Sequence, residues 1–358
     1  MITTRRRLDP SIFDLPVEKM RAGYYTDAYF NHTRAALLEA GRHPHVVMQV
    51  FQKKHSYLGG IDEAIAILKL CAADLDGLEV HALYDGDALE PYETVLTIEG
   101  DYTTFAHLET LYLGVLARRT LITTNTVNVL RAANGKPVIF MPARHDHHRV
   151  QTGDGYAAYV AGQVVGAEVG VTTDEQASWW GGRGIGTVPH SLIAAYGGDT
   201  VAAARRFAEW APPDMSVTVL VDFENDSVKT ALEVAHALGD RLWGVRLDTS
   251  ESLVDRSLWE EMGAFKPTGV NPQLVWKVRE ALDGAGFDGV RVVVSGGFTV
   301  EKISEFEEHG VPVDAYGVGS SLIRGSNDFT ADIVMTDGEP SAKVGRHLRP
   351  NPRLERVT

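Results

Sequence analysis

Short apolar runs alternate strictly with amphipathic stretches from residue 137 onward, and this alternation constrains the fold more than any other feature. The predicted helices between the runs include residues 227–238 and 271–286, whose apolar positions recur at helical spacing. Continuous apolar strands separated by helices are typical of a parallel sheet that closes on itself. We therefore predict the α/β class, with an irregular TIM-like α/β barrel over residues 135–329. The predicted strands are PVIFMP, GIGTV, VTVLVDF, LWGVRLD, VRVVVSG and VDAYGVG.

The residues before the barrel mix strands and helices without a regular order. Predicted strands at VVMQVFQKK (47–54), VHALYDG and TVLTIEG accompany a helix at 62–73 and a long helical region at 105–133. We predict an N-terminal α/β (α+β) domain at 1–134. The C-terminal tail, 330–358, is expected to join this domain.

Composition excludes several classes of function. The formal net charge of −14 over 358 residues argues against a nucleic-acid surface, which needs clustered Lys and Arg. No apolar stretch approaches transmembrane length, and the basic start lacks the apolar core of a secretory signal. The single cysteine, Cys71, lies in an apolar helical run and reads as a buried, inert thiol. We expect a cytoplasmic protein that binds neither nucleic acid nor membrane.

Two segments near the C-terminus, VRVVVSGGFTVEKI (290–303) and VDAYGVGSSLI (313–323), each read as a strand, a glycine turn and the start of a helix. Glycines let the backbone approach an anion, hydroxyl groups add donors, and a helix N-terminus supplies free N–H groups. Consecutive units of this kind build the phosphate site of many α/β barrels. The residues concerned are Gly296, Gly297, Gly317, Gly319, Ser295, Thr299, Ser320 and Ser321.

Polar or ionisable residues follow several other predicted barrel strands. For any one of them alone, a surface loop residue or a capping carboxylate is the favoured interpretation. Parallel barrels, however, gather their chemistry where the strands end, so a shared rim with the glycine turns favours a functional site. The residues are Arg144, Thr187, His190, Asp222, Glu224, Arg246 and Asp248.

His190 stands at the predicted start of a helix in GIGTVPHSLIAAYG. A helix N-terminus is expected to lower the pKa of the imidazole and keep it neutral, with a nitrogen free as a nucleophile. Asp222 or Glu224 would hold the other ring nitrogen. Beside a phosphate site, such a histidine could accept a phosphoryl group, although packing and capping are common roles for a lone histidine.

Arg246 and Asp248 alternate on one strand and therefore share one face. They form either a structural ion pair or a site in which the arginine meets a substrate carboxylate and the aspartate a hydroxyl or a metal. The run RHDHHR (144–149) favours a polar loop over a metal site, because adjacent histidines do not converge on one ion. Asp27 and Tyr29 alternate as they would on an extended segment.

Taken together, these segments resemble the nicotinate phosphoribosyltransferases, with the nicotinamide and quinolinate enzymes as more distant relatives. The resemblance covers nearly the whole chain, and the segments occur in the family's order. They are YYTDAYF, VFQKK, GDYTTFAHLETLYLGVLAR, FMPAR, GIGTVPHSLI, VLVDFEND, VRLDTSE, VVSGGF and YGVGSSL. The family has an N-terminal α/β domain and an irregular α/β barrel, and it works as a homodimer whose active sites lie between subunits.

The resemblance also implies roles for individual residues. His190 matches the histidine that ATP phosphorylates, and Thr187 and Arg246 match residues that hold the nicotinate carboxylate. The ring of Tyr29, contributed with Asp27 by the neighbouring subunit, would stack on the pyridine. Phe140 would cover the opposite ring face, and Asp248 lies where the ribose hydroxyls and magnesium are handled. Arg144 stands in FMPAR, which is one residue longer than the family's Phe-Gly-x-Arg. The residues that match the 5′-phosphate cradle are Gly296, Gly297, Gly319 and Ser320.

The implied reaction joins nicotinate to phosphoribosyl pyrophosphate in NAD salvage, with Mg²⁺ as cofactor and ATP as co-substrate. No ligand set for a metal is assigned. A nicotinamide or quinolinate phosphoribosyltransferase is the nearest alternative, because the three reactions share one fold. A non-catalytic sensor of a nucleotide or sugar phosphate is the alternative from another class, since the glycine turns alone would suffice for it.

Overall fold

The computed structural model describes residues 6–263 and 265–357, which form two compact units. The first comprises Met1–Val127, Tyr156–Val164 and Gly325–Thr358, of which residues 1–5 and 358 lie outside the described part. The second comprises Asn128–Gly155 and Val165–Arg324. No helix of the described chain is long and apolar enough to cross a membrane.

The strands and helices are numbered along the chain. The strands are β1 (His45–Phe51), β2 (Ser56–Tyr57), β3 (Glu79–Ala82), β4 (Ala88–Leu89), β5 (Thr94–Asp101), β6 (Val138–Phe140), β7 (Val169–Val171), β8 (Val217–Leu220), β9 (Leu242–Leu247), β10 (Arg291–Val294), β11 (Ala315–Val318), β12 (Thr330–Thr336), β13 (Glu339–Pro340) and β14 (Glu355–Arg356). The α-helices are α1 (Val17–Arg21), α2 (Ala28–Glu39), α3 (Ile61–Cys71), α4 (Tyr102–Phe105), α5 (Glu109–Ala132), α6 (Gln151–Val165), α7 (Asp174–Ala177), α8 (His190–Ala195), α9 (Thr200–Trp210), α10 (Ser227–Leu238), α11 (Pro272–Gly284) and α12 (Val300–Glu308).

Antiparallel pairing builds the main sheet of the first unit, in the order β13-β12-β1-β5-β3-β14. Helix α3 belongs to its core, because residues on every side of the helix are buried, including Ile61, Ile67 and Cys71. Three of the six strands, β12, β13 and β14, come from the C-terminal tail, and β12 pairs with β1 whereas β14 pairs with β3. The tail therefore completes the first unit's sheet.

Helix α6 contributes its residues 156–164 to the first unit, although the sequence assigned this stretch to the barrel. Thr123 donates a hydrogen bond from its hydroxyl to the carbonyl of Ala157. Gly86 leaves the space that Val164 fills, since a Cβ at this glycine would lie 2.9 Å from the valine Cγ2. These contacts join residues that are far apart in the chain, and no local sequence pattern predicts them.

Parallel pairing builds the sheet of the second unit, in the order β7-β6-β11-β10-β9-β8. Residues 184–188 bridge its two edges: Ile185 N donates to Val171 O at 2.8 Å, and Val188 N donates to Thr218 O at 2.8 Å. The sheet therefore curls into an irregular barrel, and the predicted fold class is confirmed. Helices α10 and α11 fall close to their predicted positions.

Two local predictions are wrong, and one strand was not predicted. GIGTV is not a regular strand, because its residues form only isolated bridges to the two edges. Strand β7 takes its place in the sheet, and three residues are too few to show a period. Asp27 and Tyr29 do not lie on an extended segment, since Asp27 is the N-cap residue of α2 and Tyr29 lies in its first turn.

Candidate active site

Polar side chains of the second unit gather where the parallel strands β8, β9 and β10 end. The register pairs Arg246 with Val293 and Leu247 with Val294, so Asp248 and Ser295 follow side by side on neighbouring strands. Strand alternation turns Arg246, Asp248 and Ser295 to the same face of the sheet. The sequence predicted this convergence for Arg246 and Asp248, and the structure adds Ser295 as the residue that joins them.

Arg246 is held by three neighbours. Its Nε donates to Ser295 Oγ at 2.8 Å, its Nη1 lies 3.4 Å from Thr187 Oγ1, and its Nη2 lies 3.6 Å from Asp248 Oδ1. The Ser295 hydroxyl in turn donates to Asp248 Oδ1 at 2.6 Å. Because Arg246 and Ser295 are largely buried, this network fixes the guanidinium in one orientation. Thr187 is brought to it by the bridging segment 184–188.

Ser295 has a different role in the structure from the one predicted. Its hydroxyl was expected to donate to a phosphate, but it is engaged with Arg246 and Asp248, and the residue is 2% exposed. The hydroxyl accepts from the guanidinium and donates to the carboxylate, and a single O–H cannot donate to a phosphate at the same time. In this structure Ser295 is therefore a positioning residue for Arg246 and Asp248.

His190 begins helix α8, and its Nε2 lies 2.8 Å from Asp222 Oδ1. The carboxylate is largely buried, whereas the imidazole side chain is 42% exposed. The hydrogen bond to Asp222 raises the pKa of His190, against the smaller opposing effect of burial. The predicted lowering of this pKa is therefore wrong, because a nearby carboxylate outweighs the dipole of a six-residue helix. Asp222, not Glu224, is the partner.

The first glycine turn follows β10. Gly296 and Gly297 have φ values of 85° and 71°, in the left-handed region that favours glycine. Thr299 then caps α12, its side chain accepting from the Lys302 N–H at 3.3 Å. The predicted strand, glycine turn and helix N-terminus are therefore present in this order.

Two charged side chains that the sequence did not single out lie at this turn. A Cβ on Gly297 would overlap with the carboxylate of Glu251, and Lys302 Nζ lies 3.4 Å from the Gly296 carbonyl. Burial lowers the pKa of Lys302, and Glu251 opposes that effect. Neither residue directly follows a strand, so the pattern of polar residues at strand ends predicts neither of them.

The second glycine turn follows β11, which pairs directly with β10, so the two turns lie at neighbouring strand ends. This turn opens into one turn of 3₁₀ helix at Ser320–Ile323 and not into an α-helix as predicted. Neighbouring side chains pack closely against its glycines. A Cβ on Gly317 would lie 2.8 Å from Met141 Cε, and a Cβ on Gly319 would lie 2.9 Å from His145 Cε1.

Phe140 cannot cover a ligand ring in this structure, because its side chain is fully buried. Residues on a strand alternate between the two faces, and Ile139 pairs with Gly317 and Gly170, whereas Phe140 pairs with Val318 and Val171. The face that carries Gly317 is therefore also the face of Ile139. The predicted role of Phe140 is therefore wrong, because its neighbour Ile139, and not Phe140, lies on the face that carries Gly317.

Arg144 and the following histidines lie in an exposed loop that includes the short 3₁₀ helices Pro142–His145 and His148–Val150. The rings of His147 and His148 lie 4.2 Å apart by their centroids. No group of three or more His, Cys, Asp or Glu side chains in the described residues is arranged to hold a metal ion.

Asp27 and Tyr29 belong to the first unit. Asp27 Oδ2 accepts from the Thr110 hydroxyl at 2.9 Å, which fixes the start of α2. Tyr29 is 60% exposed, and Tyr24 beside it is 72% exposed. No residue of α2 is fully buried, and Tyr29 is the exposed aromatic side chain of this helix.

The fold and these side chains define a class, the irregular α/β barrels that carry a separate α+β unit and gather polar side chains and glycine turns at their strand ends. A family model described as quinolinate phosphoribosyl transferase, N-terminal domain, matches residues 27–120. A solved structure of a nicotinate-nucleotide pyrophosphorylase from Pyrococcus furiosus is 32% identical, with a TM-score of 0.81 over 96% of this chain and 85% of that one.

A nicotinate phosphoribosyltransferase of Mycobacterium tuberculosis is 31% identical over 75% of this chain and 55% of its own length. The human nicotinic acid phosphoribosyltransferase structure, at 17% identity and a TM-score of 0.68 over 88% of this chain and 75% of that one, shares the fold. The chain belongs to the type II phosphoribosyltransferase family, as its sequence predicts. It spans about half the length of the curated relatives it matches.

Proposed function

We propose that this protein is a nicotinate phosphoribosyltransferase, which forms nicotinate mononucleotide and pyrophosphate from nicotinate and phosphoribosyl pyrophosphate in NAD salvage. The observation that carries the proposal is the fixed guanidinium of Arg246, next to Thr187, on the strand edge that also bears the glycine turns. A rigid, largely buried cation suits a planar carboxylate, which an arginine can bind through two parallel hydrogen bonds.

The reaction needs positioning more than acid–base chemistry. The bond between ribose C1 and the pyrophosphate oxygen breaks, and its electron pair leaves with pyrophosphate. The pyridine nitrogen supplies the pair that forms the new C–N bond. Arg246 and Thr187 would orient that nitrogen through the carboxylate, while the Gly296–Gly297 turn would hold the 5′-phosphate.

One carboxylate clamp favours nicotinate over its relatives. Quinolinate carries two carboxylates and would need a second fixed cation, whereas nicotinamide offers no negative charge to Arg246. The matched family model and the archaeal structure carry quinolinate and nicotinate-nucleotide names, which keeps quinolinate as the second candidate. The curated relatives are nicotinate phosphoribosyltransferases, in agreement with the single clamp.

His190 is the proposed phosphoryl acceptor for ATP. Asp222 contacts Nε2, which leaves Nδ1 as the nucleophile. The bond from the γ-phosphorus to its bridging oxygen breaks, the phosphorus–nitrogen bond forms, and ADP leaves with the electron pair. Because the pKa of His190 is raised, the imidazolium must first lose a proton, so phosphorylation should become faster as pH rises through that pKa.

Magnesium fits the proposed site through Asp248. The hydrogen bond from Ser295 and the ion pair with Arg246 both reach Oδ1 of this carboxylate. Mg²⁺ commonly binds one or two protein carboxylates together with substrate phosphates, so a site without three protein ligands suits it. When bound, the ion would neutralise charge on the departing pyrophosphate.

The proposed assembly is a homodimer with shared active sites. The exposed side chain of Tyr29, at the start of α2, is the part of the first unit that would reach a neighbouring subunit. Asp27 fixes the start of this helix and thereby the direction of Tyr29.

Arg246→Gln tests the carboxylate clamp. We expect KM for nicotinate to rise roughly 10- to 100-fold, because a hydrogen-bonded charge pair contributes about 1.5–3 kcal/mol. Turnover of nicotinamide, however slow, should fall much less. Arg291→Gln is the matched control, since Arg291 begins β10 and pairs with Asp314 on the surface. Equal losses with both pyridines would contradict the clamp.

A further inference from the structure

The first unit contains a cavity of about 370 Å³ that the proposed reaction does not use. Every residue that lines it belongs to the first unit, whereas the glycine turns and His190 belong to the second. Its volume lies within the range of small-molecule sites, roughly 300–1,000 Å³. The lining residues are Arg21, Arg34, Cys71, Ala72, Ala73 and His107.

Both arginines of this cavity are anchored at one side of the guanidinium by backbone. Arg21 donates from Nε to the Leu70 carbonyl and Arg34 donates from Nε to the Thr103 carbonyl, each at 2.8 Å. Arg21 has one loose ion pair, 3.7 Å to the exposed Glu18. For Arg34, the described chain offers no carboxylate within ion-pair distance. Two oriented cations in a chain of net charge −14 form a local site for an anion.

His107 is the third polar group of the cavity and the least satisfied. The residue is 2% exposed, yet neither Nδ1 nor Nε2 makes a hydrogen bond within the described chain. The Cys71 backbone lies close enough to affect the imidazole, without hydrogen-bond geometry. Buried polar groups are normally paired, so an imidazole in this state indicates a missing partner.

The protonation states fix what each group offers. Burial, followed by the nearby charge of Arg34, lowers the pKa of His107 to about 4, so the imidazole is neutral at pH 7 and brings one N–H donor. Burial raises the pKa of the Cys71 thiol, which therefore forms part of the wall and is not a nucleophile. The cavity thus presents two cations and one neutral donor.

We propose that this cavity binds a small molecule through its phosphate group, held by Arg21, Arg34 and the N–H of His107. A phosphate dianion matches the two fixed cations in charge, and its oxygens accept from both arginines and from the imidazole. Cys71, Ala72 and Ala73 supply the wall beside it. The site is a ligand site of the first unit, in addition to the proposed active site.

Histidine NMR of the full-length protein, with inorganic phosphate as the probe at constant ionic strength, tests the site. We expect saturable shifts of the His107 resonances, assigned with a His107→Gln variant. Arg34→Gln should weaken the midpoint at least tenfold, and so should Arg21→Gln, whose exposed side chain makes misfolding a minor concern. Arg206→Gln, an exposed arginine of α9, is the control and should leave the midpoint unchanged.

The two phosphate sites can be told apart in the same experiment. Resonances of His190 report binding near the glycine turns, and Gly297→Ala should abolish that response only. Shifts of His107 that persist in Gly297→Ala support the cavity independently of the proposed function. A His107 signal that does not respond to phosphate, or that keeps the wild-type midpoint in both Arg34→Gln and Arg21→Gln, would overturn the proposal.

Discussion

At the scale of single residues, the pair of His190 and Asp222 decides how the site responds to pH. The carboxylate raises the pKa of the imidazole above its ordinary value of 6.5. The stabilisation from this pair is therefore complete below the pKa of the unfolded chain and is lost as pH rises through the folded value. Because the imidazole is 42% exposed, solvent screens the interaction and keeps it modest.

Asp222→Asn should return the pKa of His190 towards its ordinary value, since the charge that favours the imidazolium is removed. We expect phosphorylation by ATP to slow roughly 10- to 100-fold, because the variant loses a charge-assisted hydrogen bond that orients the nucleophile. A histidine NMR titration gives the pKa. Glu224→Gln is the matched control, because Glu224 is exposed and pairs with Lys229. An unchanged pKa in Asp222→Asn would contradict this pairing.

The sequence predicted these residues better than their partners. Strand ends can be read from apolar runs, and this placed Thr187, His190, Asp222, Arg246 and Asp248 on one side of the barrel. The link through Ser295 depends on the register between β9 and β10, which is a non-local property. Phe140 was misplaced for the same reason, because a shift of one residue moves a side chain to the opposite face.

At the scale of elements, the Gly296–Gly297 turn joins β10 to α12 and is the part of the proposed phosphate site that backbone geometry defines. Both residues have positive φ, and Thr299 caps the helix that follows. A glycine turn that leads into a helix N-terminus is a common place for a phosphate to bind. The turn therefore couples one strand, one helix and the proposed 5′-phosphate.

Gly297→Ala should lose affinity for phosphoribosyl pyrophosphate and cost stability, since the new methyl group meets Glu251 in addition to backbone strain. Gly286→Ala is the matched control, because Gly286 has a φ of 82° and open space around a Cβ. We expect strain of about 1 kcal/mol in both variants, by urea unfolding, and a loss of substrate affinity in Gly297→Ala alone. Equal affinities would argue against a phosphate at this turn.

Regular elements were predictable, and irregular ones were not. Helices such as α10 and α11 carry an apolar face that repeats at helical spacing, so their positions follow from the local sequence pattern alone. The bridging residues 184–188 resemble a strand in composition, yet they contact the two sheet edges through isolated bridges. Strand β7 has three residues, and its existence depends on its pairing with β6.

At the scale of the whole molecule, C-terminal residues pair with strands of the N-terminal part of the chain. Strand β12 pairs with β1 over Val46–Phe51, and the tail beyond it is held by hydrogen bonds between Gln49 and residues His347 and Arg349. The composition of the tail indicates packing against the first unit only in general terms. No local sequence pattern specifies which strand the tail pairs with. The first unit is therefore complete only with the C-terminal residues in place.

Mixed dimers test whether the active sites are shared between subunits. Tyr29→Ala and His190→Ala should each be nearly inactive, but co-expression should restore about a quarter of the wild-type specific activity, because half of the dimers would then carry one intact site of two. Differently tagged subunits allow the mixed dimers to be purified and assayed. Mixed dimers without activity, or a fully active Tyr29→Ala variant, would contradict a shared site.

The most direct measurement of the proposed function is a product assay on the purified protein with phosphoribosyl pyrophosphate and Mg²⁺, in which nicotinate, nicotinamide and quinolinate are compared with and without ATP. We expect nicotinate to give nicotinate mononucleotide and pyrophosphate in equal amounts, with more product when ATP is present. Mononucleotide formed from quinolinate alone, with release of carbon dioxide, would contradict the account, and so would binding of phosphoribosyl pyrophosphate without consumption of any pyridine.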